Sequence, residues 1–419
     1  MLRAHMKNKQ LTLNEYKCLY PIEGTDIINQ KNGHRGLPSV TFEEIRKFVL
    51  ENNADGSYFL VPTIKKIDGK RQEVLQAQNY VGVIETKNGI VIEILPKINQ
   101  KETFDDNDNV NVRNVFMKML RRLKKSPFKH FNQAHMKNNK MNLLEIFISM
   151  FLEELTVLIQ RGLKSDYITK EENVLFLKGK LKIKEHLKYN YIHKERFFVA
   201  YDEYLQDRIE NRLIKSTLQY LYKKSKINTN QQRIREFLFV FDDLSLSKNP
   251  KNDFMKVKSN RQMKDYETIL QWCKLFLNDE SFTIFKGNHV AFALLFDMNR
   301  VFEDYVAYII KKKYYDLDIR TQDKGHHLVE NPERFGLKPD IVVNGGEIII
   351  DTKWKVIKDK KNISQSDVYQ MYAYATKYND CKTVYLVYPR TKGSPKLKYY
   401  FDKDKTKQLR TYFFDCEKN

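Results

Sequence analysis

The stretch from Lys338 to Lys353 restricts this chain more than any other, because it dictates a tight turn and fixes what stands at the ends of two strands. Asn344-Gly345-Gly346 separates two β-branched runs, Ile341-Val342-Val343 and Ile348-Ile349-Ile350, and a short Gly-containing loop between such runs is a hairpin signal. A turn centred on Gly345 sets Asp340 opposite Ile350 if the loop has three residues, and opposite Asp351 if it has two. Directly opposed residues have Cβ atoms about 5 Å apart, so Asp340 and Asp351 are near enough to share one cation. Alternation along the second strand points Asp351 and Lys353 to one face and Ile350 and Thr352 to the other. The expectation is an apolar face backed by one that carries two acids and an amine.

Carboxylate oxygens are hard ligands that suit Mg²⁺ or Mn²⁺. A cation at this position neutralises charge building on a phosphate and lowers the pKa of an attacking water. Lys353 is placed to orient that water or to stabilise the developing negative charge; a surface hairpin with solvated charges is the competing reading. Glu303, on a helix predicted upstream, offers a third carboxylate, with Asp304 or a plain solvated face as alternatives. Gln370 and Tyr374 stand four apart on one helix face, a pair suited to holding a phosphate or a metal-bound water. The candidate catalytic residues are therefore Asp340, Asp351, Lys353, Glu303, Gln370 and Tyr374, and the candidate metal ligands Asp340, Asp351 and Glu303. His326-His327 offers metal ligands or phosphate contacts, with a solvated loop pair as the plainer reading. Trp354 is expected to pack beneath the strand it follows. The basic group from Arg121 to His130 suits phosphate, an acidic partner surface or a solvated helix end equally.

Around this motif the chain reads as α+β and multidomain, with expected boundaries at 1–110, 111–285 and 286–419. The first segment is β-rich, with a helix over Thr41–Leu50 and a strand pair, 80–86 and 89–97, around Lys87-Asn88-Gly89. Asp105 to Asn109 reads as a linker or cap ahead of a helix. The middle segment has helical periodicity, with a long buried helix from Leu143 to Leu163, a strand-like run from Val174 to Ile183, and a helix starting near Asp207 that continues past Leu221. In the last segment a helix is expected over Ala291–Lys312, strands over Asp340–Val343 and Glu347–Lys353, a helix over Ser366–Tyr378 and a strand over Thr383–Tyr388, an order that suits a mixed sheet flanked by helices.

Charge names the class of partner. Lys and Arg number 74 against 53 Asp and Glu, a formal net charge of +21, which favours a polyanion, duplex DNA foremost; lysine enrichment from an AT-rich genome is the alternative. Cys18, Cys273, Cys381 and Cys416 show no short spacing, which fits neither a zinc site nor a disulfide framework and suits a reducing cytoplasm. No apolar stretch is long and uncharged enough for a membrane span, and Met1–Lys7 lacks a signal-peptide core. No Walker loop is found, so this chain is expected to bind no nucleotide and any motor activity belongs to another chain.

The hairpin resembles the PD-(D/E)xK nuclease signature, and Gln370/Tyr374 resembles the Gln-x-x-x-Tyr element of its RecB-like branch. A larger set resembles the McrC family: Leu295-Phe296-Asp297-Met298-Asn299 with Phe302-Glu303, Phe335 to Asp340, and Asp351-Thr352-Lys353-Trp354. Gly82-Val83-Ile84, Ile92 to Ile98, Gly179-Lys180-Leu181 and Tyr201 to Lys215 are similar to that family too, so the likeness spans roughly residues 80 to 390. The resemblance implies a C-terminal restriction-endonuclease-like domain whose two acids and lysine fall on Asp340, Asp351 and Lys353. It also implies the nuclease subunit of a modification-dependent restriction system, cutting foreign, methylcytosine-containing DNA beside an McrB-like AAA+ GTPase ring. Members of the family insert their N-terminal part into that ring and stimulate its hydrolysis. A stand-alone repair nuclease and a non-cleaving scaffold of an AAA+ ring are the other readings.

Overall fold

A computed structural model describes residues 10–29, 33–52, 59–98, 106–124, 127–130, 141–257, 261–277, 290–357, 359, 362–391 and 394–418. The chain divides into two compact units, Met1–Leu144 with Asp279–Asn419, and Glu145–Asn278. The residues expected as an N-terminal domain and those expected as a C-terminal one thus fall in the same unit.

The first unit opens with β1 (Gln10–Asn14), β2 (Cys18–Ile22), β3 (Ile28–Asn29) and β4 (Arg35–Pro38), then helix α1 (Ser39–Asn52). Strands β5 (Leu60–Ile67), β6 (Lys70–Ala77), β7 (Tyr80–Thr86) and β8 (Val91–Leu95) follow. One sheet has the order β3-β4-β2-β6-β5. The apolar stripe of α1, Phe42, Ile45, Phe48 and Val49, packs into a core shared with Leu13, Leu60, Ile84 and Ile92. Helix α2 (Asp106–Leu120) begins within the acidic and amide-rich run expected to precede it. Such residues favour a first helical turn, since they complement its free N–H groups and positive end. Asp105 lies outside the described residues.

The second unit carries α3 (Leu143–Gln160), β9 (Asp166–Val174), β10 (Lys180–Leu181), α4 (Ile183–Tyr189), β11 (Phe197–Leu205), α5 (Ile209–Lys224), α6 (Asn228–Val240), α7 (Pro250–Lys256) and α8 (Glu267–Leu277). Helix α3 is buried along most of its length, as its near-continuous apolar pattern requires. The strand-like run Val174–Ile183 does not form one strand: β9 ends at Val174, and beyond Gly179, at φ +71°, β10 pairs with the opposite edge of β11 from β9. Leu175, Phe176 and Leu177 between them are more than 60% exposed, so their apolar character marks a surface rather than a core strand.

The chain then returns to the first unit through β12 (Val290–Asp297) and α9 (Met298–Lys313). A single helix was expected over Ala291–Lys312, but its first part is a strand, paired antiparallel with β7 to give the sheet β1-β8-β7-β12. An unbroken apolar run such as Phe292–Phe296 fits a buried helix or a buried strand equally; the open edge of β7 decides the matter, and Leu294, Leu295 and Phe296 are buried there. Asp297 ends the strand and caps the helix, accepting from Asn299 N at 2.9 Å.

The remaining strands are β13 (Ile319–Thr321), β14 (His327–Glu330), β15 (Glu333–Gly336), β16 (Ile341–Val343) and β17 (Ile348–Thr352), followed by helix α10 (Gln365–Lys377), then β18 (Thr383–Pro389), β19 (Lys398–Tyr400) and β20 (Gln408–Phe414). Six of them form a mixed sheet of order β13-β16-β17-β18-β20-β19, while β14 and β15 pair separately. Met371, Tyr374 and Ala375 of α10 pack on this sheet against Val342, Ile349, Val384 and Leu386. Phe302 and Tyr305 of α9 meet Phe414 of β20 edge-on. Among the described residues no helix is long and apolar enough to cross a membrane, and all four cysteines are buried free thiols.

Candidate active site

The hairpin forms at the expected place. Ile341 pairs with Ile350, Val342 with Ile349 and Val343 with Ile348; continued by one step, this register sets Asp340 opposite Asp351, the arrangement expected of a two-residue loop. The connecting loop is wider than two residues, running from Asn344 to Glu347 with φ of 49° at Asn344, 68° at Gly345 and 120° at Gly346. Three successive left-handed conformations are why the sequence there is Asn-Gly-Gly.

The expectation of an apolar face behind a chemical one is corrected by the topology. Strand β17 lies between β16 and β18, and both α9 and α10 contact it, so Ile349, Ile350 and Asp351 are all buried; central strands of this kind read as continuous apolar runs. The chemistry sits at the C-terminal end of β17, where the side facing α10 changes from Ile349 to Asp351 and Lys353. Thr352, expected to turn away from the acids, gives both its amide and its hydroxyl to Asp340 Oδ2 at 2.7 Å.

Lys353 Nζ lies 2.7 Å from Asp351 Oδ2 and donates to Gln370 Oε1 at 2.9 Å. Gln370 Nε2 in turn donates to the Tyr374 hydroxyl at 2.8 Å, so the two residues predicted to share a helix face form a chain that ends on the lysine. Asp367, one turn earlier on α10, is buried and paired with Lys355 at 2.7 Å, and sequence reasoning missed it; its spacing of three from Gln370 was the available signal. Glu303 Oε1 accepts from Gln322 Nε2, and the Gln322 amide donates to the Asp340 carbonyl at 3.0 Å. Asp304 turns elsewhere, holding Lys124 through its amide at 3.1 Å and its ammonium at 3.4 Å.

Buried acids gathered in this way resist ionisation. Burial first, then the charge of Asp340, lifts the Asp351 carboxyl to about 7 in spite of Lys353, and the same two causes lift Glu303 to about 7. Burial also raises Asp340, against the bonds from Thr352 and the charges of Lys353 and Lys338. Burial opposes the charge on Lys353, yet Asp351, Asp367 and Asp340 together raise its pKa. The result is an excess of buried negative charge that a divalent cation would relieve. Asp351 Oδ2 keeps accepting capacity: it is buried and, although ion-paired, receives no hydrogen bond of ordinary geometry. An all-oxygen set of this kind fits Mg²⁺ or Mn²⁺. Asp340 and Asp351 are the pair that fits it. Glu303 stands beside them without closing a ring, for among the described residues no three His, Cys, Asp or Glu side chains are gathered tightly enough to hold an ion.

The other candidates fall outside this cluster. His326 packs on the Tyr378 ring, 4.0 Å between centroids, and His327 faces Glu333 at 3.8 Å. Arg122 stacks on Tyr308 at 3.9 Å, while Lys125 and Ser126 lie outside the described residues. Trp354 packs beneath the strand as expected, 5.2 Å from the Phe302 ring.

The chain is 18% identical to the McrC-bearing Thermococcus gammatolerans structure described as a half-complex from a tetradecameric assembly of McrB AAA+ hexamers with bound McrC; the match has a TM-score of 0.69 and covers 98% of this chain and 96% of that one. A cryo-EM structure of the McrBC complex from the same organism matches at 19% identity with a TM-score of 0.52, over 76% of this chain and 90% of the other. At these identities the likeness is one of fold. The Escherichia coli K12 type IV methyl-directed restriction enzyme EcoKMcrBC is 24% identical over 139 residues, 33% of this chain and 40% of the relative's length. The profile of the McrBC family, described as a McrBC 5-methylcytosine restriction system component, matches residues 75–389. With a match over more than half of its residues, the chain belongs to the McrBC family.

Proposed function

We propose that this chain is the nuclease subunit of a modification-dependent restriction system, an endodeoxyribonuclease of the PD-(D/E)xK type that works with an McrB-like AAA+ GTPase ring. The observation that carries this reading is the end of β17, where Asp351 faces Asp340 across the hairpin and meets Lys353 at 2.7 Å. Asp340 and Asp351, with Glu303 alongside, would hold Mg²⁺ or Mn²⁺, which when bound supplies charge neutralisation and a more acidic water. Lys353 holds an ammonium where negative charge develops on the phosphate. Gln370, fixed by Tyr374, keeps that ammonium aimed.

The surplus of basic side chains supplies phosphate contacts that position a duplex without reading its sequence. Leu175, Phe176, Leu177, Ile183, Leu187, Tyr191 and Ile192 of the second unit are exposed, large apolar side chains of the kind that a partner chain covers. They lie outside the N-terminal part by which family members are expected to dock.

Purified chain, 5-methylcytosine-bearing plasmid and Mg²⁺ test the reading. Cutting is expected when an McrB-like GTPase and GTP are added, and not with chain alone. Cutting without any NTPase would make it a stand-alone nuclease, and no cutting in either case would leave a scaffold. Gln370→Ala is expected to slow cleavage about 10–100-fold, the usual cost of removing a group that orients a metal-site side chain. Its dependence on Mg²⁺ concentration is expected to stay that of the parent, because Gln370 touches Lys353 and not the carboxylates; initial rates across a Mg²⁺ series check both statements.

A further inference from the structure

We propose that Glu15 is a positioning residue for the active site, acting on Lys353 and Glu303 through Trp354. The inference rests on the nuclease reading above. Glu15 is 3% exposed, and its two carboxylate oxygens accept from the Trp354 indole Nε1 at 3.0 and 2.9 Å. The Lys97 amide donates to Glu15 Oε2 at 2.9 Å. Lys97 Nζ then reaches the Trp354 carbonyl at 3.2 Å and rests 4.0 Å above the Tyr16 ring. Both ends of Trp354, indole and peptide oxygen, are thereby tied to the strand pair β1 and β8, whose line continues through Glu15 N to Leu95 O at 3.0 Å.

Trp354 is the residue after Lys353. Beyond Thr352 the chain has left the regular ladder, and the Lys353 amide makes one last bond, to Val387 O at 2.8 Å. The Lys353 carbonyl accepts from Lys355 N on the same segment, at 2.8 Å, so beyond the bond to Val387 the placement of this segment leans on where Trp354 is held. The Trp354 ring also packs against Phe302, centroids 5.2 Å apart, and Phe302 precedes Glu303. One indole therefore braces the lysine on one side of the site and the glutamate on the other, and Glu15 fixes that indole. The arrangement asks for a carboxylate: the indole N–H and the Lys97 N–H that meet Glu15 are both donors, and an amide in its place turns an N–H toward one of them. Nothing in the chain order signals this contact, which joins residues 339 positions apart.

Full-length Glu15→Gln, Trp354→Phe and the double variant, assayed with the McrB-like ring, GTP, Mg²⁺ and methylated plasmid, test it. Each single change is expected to lower kcat about tenfold or more, with the KM for DNA, the stimulation of GTP hydrolysis and the melting temperature close to the parent's. Because both remove the same bond, the double variant is expected to be no slower than the slower single. Parental rates in both singles, losses that multiply in the double, or rate losses matched by loss of folded protein would each overturn the inference. Failure of the unsubstituted chain to cut would sink the nuclease reading and this inference with it, whereas cutting by the parent and by all three variants alike removes Glu15 alone.

Discussion

On the nuclease reading proposed above, Asp351→Asn is expected to abolish cleavage, lowering the rate on the order of 10³-fold or more, while engagement of an McrB-like ring and stimulation of its GTP hydrolysis are expected to persist. The substitution keeps shape and removes the charge opposite Asp340, so the pair that would hold the cation is halved and Lys353 loses its 2.7 Å partner. Plasmid cleavage and GTP turnover measured on one preparation check it; loss of both together would mean that cutting and ring stimulation are not separable. Stability is expected to move the other way when metal is chelated. Burial first, then Asp340, raises the Asp351 carboxyl to about 7, so the fold prefers it protonated. That contribution is whole below about pH 4, the unfolded value, and is lost as pH rises through about 7. Asparagine has no such charge to bury. In a chelator the variant's melting temperature is expected to exceed the parent's by a margin that grows from about pH 5 to about pH 8, and a margin that shrinks over that range would contradict the environment described for Asp351.

The parts of this site that could be read from the sequence are those made by short-range rules. Asn344-Gly345-Gly346 names its own turn and narrows the register to two choices, and Gln370 and Tyr374 meet because helical neighbours four apart must. Thr352 was misplaced because strand alternation holds within regular strands, whereas Asp340 precedes β16 (Ile341–Val343) and takes both the amide and the hydroxyl of that residue. The strand at Val290–Asp297 was read as helix because its apolar run has no decisive period; only the free edge of β7, over two hundred residues earlier, selects the extended form. The same distance hid the union of the two chain ends in one unit, and the bond from Trp354 to Glu15. Composition pointed to a polyanion but could not say which surface meets it.

That union of the two ends depends on a residue with no side chain. Gly82→Ala is expected to cost about 2–5 kcal/mol, the sum of a strained backbone and an overpacked contact. Gly82 adopts φ +149°, and a Cβ built on it would stand 2.0 Å from the Leu294 carbonyl oxygen and 3.1 Å from Leu295 Cα. Those atoms belong to β12, so relief comes only by pushing that strand off β7. The displacement would reach the site. Met298 N donates to Asn79 O at 2.9 Å and Asn79 Nδ2 to Asp297 Oδ1 at 3.0 Å, bonds that seat the start of α9 on the start of β7, and α9 carries Glu303. Gly89→Ala is the control: φ there is +78° and a Cβ meets nothing within 4 Å, so only conformational strain of about 1 kcal/mol is added. Thermal unfolding of the three proteins is expected to rank the parent highest, Gly89→Ala just below and Gly82→Ala lowest, with the last also slowest in DNA cleavage. Should Gly82→Ala melt with the parent, the close approach of β12 to β7 is not what joins the two ends of the chain.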